Sequence, residues 1–168
     1  RLVVNERSAR GRRRLHVVAR SKPDGYTVAA SVKSTLTILA ATRPDLPYKV
    51  NEFIPVANAV SDLGVITTKA GGRWKSLEEL VADAKKNPGK LSYGSAGVGT
   101  VSFFMMELFK LSYGVDIAHV PFSGSAPVKN AVLGGHVDLG SSGISTMAPL
   151  IKSGDLIPLV TTSPTRLA

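Results

Sequence analysis

Three clusters of Gly and Ser, each following a short apolar run, are the residues of this chain best suited to chemistry. Leu91-Ser92-Tyr93 leads into Gly94-Ser95-Ala96-Gly97-Val98-Gly99-Thr100, and Ile117-Ala118-His119-Val120 leads towards Ser123-Gly124-Ser125. Val137-Asp138-Leu139 leads into Gly140-Ser141-Ser142-Gly143. Backbone that curls at glycine can turn successive N–H groups inward, and a helix that starts directly afterwards adds positive potential. Such a nest favours a carboxylate or a phosphate. The clusters hold no Cys, His, Asp or Glu. Their chemistry is therefore capture of a small polar or anionic molecule without reaction.

The first cluster is the sharpest candidate. Its order, G-x-x-G-x-G, is neither the G-x-x-x-x-G-K-[ST] of a P-loop nor the G-x-G-x-x-G of a dinucleotide site. A tight strand-to-helix turn without a ligand is the competing explanation. Three such junctions at one sheet edge favour binding, because open parallel sheets take their ligands beyond the carboxyl ends of the strands.

Catalytic alternatives lack their parts. Ser141 and Ser142 sit beside glycines, but no G-x-S-x-G elbow is present. His119 and His136 fall in or beside apolar strands, His16 lies in a basic stretch, and Asp138 reads as a strand residue making a backbone contact. No spacing brings a Ser, a His and an acid into a triad. With three scattered His and no Cys, neither a metal site nor a disulfide is expected. The reading is of a non-enzyme without a cofactor.

Positioning those clusters requires a globular α/β scaffold, and the composition allows one. The 168 residues are 43% hydrophobic with a mean hydropathy of +0.12, enough for a core, and no apolar run reaches the length of a membrane span. The net charge of +9 is local: residues 1–22 carry eight basic side chains against Glu6, leaving the remainder at +2. Arg10-Gly11-Arg12-Arg13-Arg14 could serve a polyanion, but no aromatics are interleaved and no nucleic-acid-binding signature follows. Nucleic acid is not an expected partner. No signal peptide is visible, and the chain begins at Arg.

The pattern predicts short strands at Leu2-Val3-Val4, at 26–30 (buried, ending at Ser31), at Phe53–Ala59 and at Leu63–Thr68. A short helix is expected over Leu36–Ala41. A helix over 76–86 opens on an S-x-x-E capping box, Ser76 with Glu79, and stops at Asn87-Pro88-Gly89. A second spans 100–112, with Val101, Phe104, Met105, Leu108 and Leu111 on one side and Phe103 and Met106 widening the apolar surface. A third runs from Ser125 as N-cap to Gly134-Gly135, and a fourth from Ser145 to Lys152 before a last strand at Leu156–Thr161. Residues 75–162 should form a mostly parallel sheet.

Several long motifs resemble the Bug, or TctC-like, solute-binding proteins of tripartite tricarboxylate transporters. They are Lys22-Pro23-Asp24-Gly25-Tyr26-Thr27, Asn87-Pro88-Gly89-Lys90-Leu91-Ser92-Tyr93-Gly94-Ser95, and Gly97-Val98-Gly99-Thr100. The longest runs from Gly114 to Pro127 and continues through Leu133–Asp138 and Ile151–Gly154. The resemblance implies an α/β, type II periplasmic-binding-protein architecture of two lobes with mostly parallel sheets. Here the first lobe is incomplete: 1–70 would be partial, without its first strand and ligand loop, and 71–168 would be the second lobe. It further implies a periplasmic receptor for a small di- or tricarboxylate or amino-acid-like ligand, delivering it to a membrane permease. Intact members are expected to be monomers, and this shorter chain could self-associate.

By position in that family, Ser95, Gly97, Gly99 and Thr100 form the second-lobe carboxylate loop, and Ser31 faces the cleft from the first lobe. Ala96, Ser123 and Ser142 complete the expected ligand-binding set. Where members often carry a His after the loop this chain has Phe103, and where they often carry an acid this chain has Ser142, which favours a purely anionic ligand. At Ser8–Arg14 the family's Gly-rich stretch is replaced by Arg and Ala, as a frameshift in GC-rich codons would produce. The chain covers about half of a member, so weak binding is expected. A truncated, non-functional gene product is one alternative, and a polyanion-binding protein using the basic segment is another.

Overall fold

A computed structural model describes residues 2–4, 15–31, 36–58 and 61–164. The basic run at 10–14 and the expected frameshift at 8–14 lie outside the described residues. The chain divides into two compact units, Arg1–Ala59 and Val60–Ala168. The division precedes the strand at Gly64–Lys69, because that strand pairs only within the second unit.

In the first unit, β1 (Leu2–Val4) pairs in parallel with β2 (Val28–Ala30), Leu2 lying opposite Val28. The turn before β2 forms as its residues dictate: Gly25 takes φ 80° and the Asp24 carboxylate accepts from the Tyr26 amide at 3.0 Å. β2 is shorter than expected and only partly buried. A helical turn at 15–19, α1 (Ile38–Thr42) and a 3₁₀ turn (Val50–Glu52) follow. The strand expected over Phe53–Ala59 does not form: 53–58 are irregular, and residue 59 is outside the described set. Ile54 and Val56 are 85% and 84% exposed, and Pro55 supplies no amide to a ladder, so the apolar residue types there are not matched by burial.

In the second unit the elements run β3 (Gly64–Lys69), α2 (Leu77–Lys86), β4 (Ser92–Ser95) and α3 (Val101–Tyr113). They continue through β5 (Ala118–Pro121), α4 (Ser125–Leu133), β6 (Leu139–Gly143), α5 (Ile144–Lys152) and β7 (Leu156–Thr161). The sheet order is β5-β4-β6-β3-β7. β5, β4 and β6 are parallel, and β3 runs antiparallel to both β6 and β7. Four strands therefore share one direction, and β3 is the exception. β7 closes the edge, where Pro158 is tolerated beside a bulge opposite Ile66 and Thr67.

Helices cover both faces. α2 and α3 bury Leu80, Ala84, Met106 and Phe109 against Ile66, Tyr93 and Leu139. α4 and α5 bury Val128, Val132 and Met147 against Val65 on the other side. α2 begins as its cap predicts, with Ser76 Oγ accepting from the Glu79 amide at 3.3 Å. The return half of the box is displaced by one residue, since Glu79 accepts from the Lys75 amide at 2.7 Å rather than from Ser76. α4 is capped by Gly124 rather than Ser125, and no side chain caps it.

α3 turns a different face inward from the expected one. Its buried residues are Ser102, Met106 and Phe109, whereas Val101, Leu108 and Leu111 are exposed. A helix that is apolar nearly all round has no single stripe to fix its rotation. Its polar groups fix it instead. Ser102 O accepts from Ser141 Oγ at 2.7 Å, and Glu107 Oε1 accepts from Tyr93 Oη at 2.7 Å.

Candidate functional site

The first two junctions leave the sheet at the edge where β6 also ends, because β5, β4 and β6 are adjacent and parallel; the third cluster lies within β6 itself. From β4 the chain moves outward to β5, then returns past β4 to β6. The strand order therefore reverses between β4 and β6, with α3 on one face and α4 on the other. That switch point is where an open α/β sheet leaves a crevice beyond its strand ends. The β4–β6 ladder joins only Tyr93 with Leu139 and Gly94 with Gly140, so the two strands part as they reach this edge.

The first junction fills the switch point. Gly97 and Gly99 take φ 117° and 80°, values open to glycine and costly for a residue with a Cβ. The curl is held by hydroxyls. Thr100, the N-cap of α3, donates its Oγ1 hydrogen to Gly97 O at 2.7 Å and accepts from the Phe103 amide at 3.3 Å. Ser102 Oγ lies 3.0 Å from Thr100 Oγ1 and accepts from the Ala96 amide at 3.2 Å. Ser95, fully buried, accepts from the Gly97 amide at 3.3 Å, and its Oγ lies 2.8 Å from His119 Nε2. The amides of Val98, Gly99, Val101 and Ser102 have no acceptor among the described residues. Four donors on a positive-φ turn at a helix start can hold one carboxylate.

The other expected residues occupy distinct places. Ser123 is exposed on the adjoining junction, which is tied to the first by the Phe122 amide donating to Ser95 O at 2.9 Å. Ser31 follows β2 in the first unit and is partly buried. Ser142 is not in a loop. Gly140-Ser141-Ser142-Gly143 is itself strand β6, in the middle of the sheet. These small residues admit the helices: a Cβ on Gly140 would lie 2.6 Å from Val132 Cγ2, and one on Gly94 would lie 3.0 Å from the Phe122 ring. Asp138 precedes β6, where its carboxylate accepts from the Ser92 amide and hydroxyl at 2.8 and 2.9 Å.

Ser142 carries the one buried side-chain oxygen among the described residues that lacks a hydrogen bond. Ser142→Ala is expected to raise unfolding stability by about 1 kcal/mol, because it removes a desolvated hydroxyl that nothing repays. Denaturant unfolding checks this. A loss of stability would show that the hydroxyl is satisfied in solution.

Beneath the loop lies a polar-aromatic cluster. His119 stacks on Tyr93 at 4.8 Å between ring centroids and meets Phe103 at 5.0 Å. Burial holds the His119 imidazole below its ordinary pKa, with Glu107 pulling it up and Lys110 pressing it down. Burial pushes the Glu107 carboxyl up, but bonds from Tyr93 and Lys110 outweigh it and hold the group below the usual carboxylate range. Ser102 is the participant that the sequence did not flag, and His119 is one that it set aside as a strand residue. Ser102 stands two residues after the N-cap, and His119 lies opposite Tyr93 in the β4–β5 register. The shallow grooves along α2, lined by Leu77, Val81 and Tyr113 and by Trp74 and Lys86, share no residue with this loop.

Four known proteins or families resemble this chain. Residues 2–168 match the model of the tripartite tricarboxylate transporter family receptor. Protein BugT of Bordetella pertussis is 31% identical over 98% of this chain and 51% of its own length. Among solved structures, a periplasmic transporter superposes with a TM-score of 0.84 at 36% identity, over 95% of this chain and 54% of that one. An R. palustris protein solved with adipate superposes at 0.82 with 27% identity, over 93% and 52%. The chain thus spans about half the length of the proteins it matches.

Proposed function

The chain belongs to the tripartite tricarboxylate transporter receptor family, and from that premise we propose that it is a binding component for small di- or tricarboxylates, not an enzyme. The observation that carries this reading is the loop Ser95–Thr100. Its curl and the start of α3 leave four amides without acceptors among the described residues at the switch point of the sheet. Adipate in the R. palustris relative is a ligand of the same chemistry. The residues from β3 onward then supply the second lobe of a two-lobed receptor, and those before β2 and after it supply part of the first. Ser123 and Ser31 are the further side chains expected to face the ligand. Within this reading the protein works in the periplasm and delivers its ligand to a membrane permease.

Calorimetry with citrate, malate, adipate and glutamate at two salt concentrations tests the proposal. Capture by fixed backbone donors should change less than about threefold between about 50 and 200 mM salt. Binding that falls steeply with salt would shift the site to the basic segment, as counterion release requires. Absence of binding by all four would overturn it.

A further inference from the structure

The floor of the loop is tied to a titratable group. We infer that His119 is a positioning residue whose protonation is coupled to carboxylate capture by the Ser95–Thr100 loop, because its Nε2 lies 2.8 Å from the hydroxyl that holds Gly97. The inference rests on the carboxylate reading above and names the residue that regulates it.

Ser95 has one hydroxyl proton to give. When His119 is neutral with a bare Nε2, that proton goes to the ring and Ser95 Oγ accepts from the Gly97 amide at 3.3 Å. When the ring is protonated, Nε2–H must donate to Ser95 Oγ. The hydroxyl proton then turns to Gly97 O, 3.4 Å away, so that Ser95 grips both the amide and the carbonyl of Gly97. The loop gains a second hold on its curl, and a cation stands beneath four amides that already await an anion. Both changes favour a bound carboxylate.

The groups that face the ring are Tyr93 from β4 and Phe103, Glu107 and Lys110 from α3. Glu107 is committed to Tyr93 and Lys110, and burial works against the cation. The protonated ring is thus under-compensated until a further anion arrives. Coupling is reciprocal: a bound carboxylate must raise the midpoint of His119, and affinity must rise as pH falls through it.

The test uses the 168-residue chain, with adipate, malate and citrate as probes, at about pH 5 and about pH 8. Affinity is measured by calorimetry on the unaltered chain and on His119→Gln, which keeps a donor to Ser95 but carries no charge. Ligand protonation affects both proteins equally, so the ratio of their affinities isolates the ring. That ratio should rise three- to tenfold, roughly, from the higher pH to the lower. The His119 imidazole midpoint, followed by NMR, should move up on adding ligand. If ligands bind but the ratio and the midpoint stay fixed, the inference falls and the carboxylate reading stands. If no probe binds at either pH, both fall. Should His119→Gln fail to fold, the midpoint on the unaltered chain decides alone.

Discussion

Gly97→Val will abolish dicarboxylate binding while the second unit remains folded. At φ 117° a β-branched residue is a steric outlier, so the substitution must pull this residue out of its conformation. Space is not the obstacle, since the nearest atom to an added Cβ is Phe122 O at 3.5 Å. What fails is the curl. Once residue 97 moves, its carbonyl leaves Thr100 and its amide leaves Ser95, and the amides of Val98 and Gly99 swing away from those of Val101 and Ser102. Losing two hydrogen bonds to a charged ligand, at about 1.5–3 kcal/mol each, weakens binding by roughly a hundredfold or more. Gly99→Val, at φ 80°, should act alike. Val98→Ala is the control, because that side chain is 72% exposed and only the amide of Val98 is used. Arg12→Ala and Arg13→Ala should leave calorimetric affinity unchanged. Loss in the Arg variants with retention in the Gly variants would reverse the assignment.

Gly140→Val is expected to destabilise the second unit by roughly 3 kcal/mol or more. Gly140 sits on a central strand, paired with Gly94, where α4 and α5 approach the sheet closely. Even a lone Cβ would lie 2.6 Å from Val132 Cγ2, 3.3 Å from Thr67 Oγ1 and 3.4 Å from Met147 Cε. Val132 is a short, stiff side chain that cannot step aside, so the helix itself must move. Denaturant unfolding with an intact chain as reference measures this. A Gly140→Val protein of unchanged midpoint would mean that α4 does not pack on β6 as described.

The same residues explain what could be read from the sequence and what could not. α2 was legible because its signals are local: Ser76 and Glu79 at its start, and Asn87-Pro88-Gly89 at its end, act within one turn. The stop of α4 at Gly134 and the positive-φ glycines of the first loop were legible for the same reason. β6 was not. A Gly-Ser-Ser-Gly run reads as loop on intrinsic preference, and only the close approach of α4 and α5 makes small residues a requirement of a buried strand. The direction of β3 was equally hidden, since alternating strands and helices leave the first strand free to enter from either end. The rotation of α3 depended on hydrogen bonds from Ser141 to the main-chain carbonyl of residue 102 and from Tyr93 to Glu107, between residues 39 and 14 positions apart. His119 looked like an ordinary strand residue because its hydroxyl partner, Ser95, is 24 positions earlier.

Amide chemical-shift mapping tests most directly whether a carboxylate sits on the amides of this loop. On titrating adipate into the labelled 168-residue chain, the largest displacements should fall on Val98, Gly99, Val101 and Ser102, the amides without acceptors among the described residues. Displacements gathered in the basic run at 10–14, with those four amides unmoved, would contradict that placement.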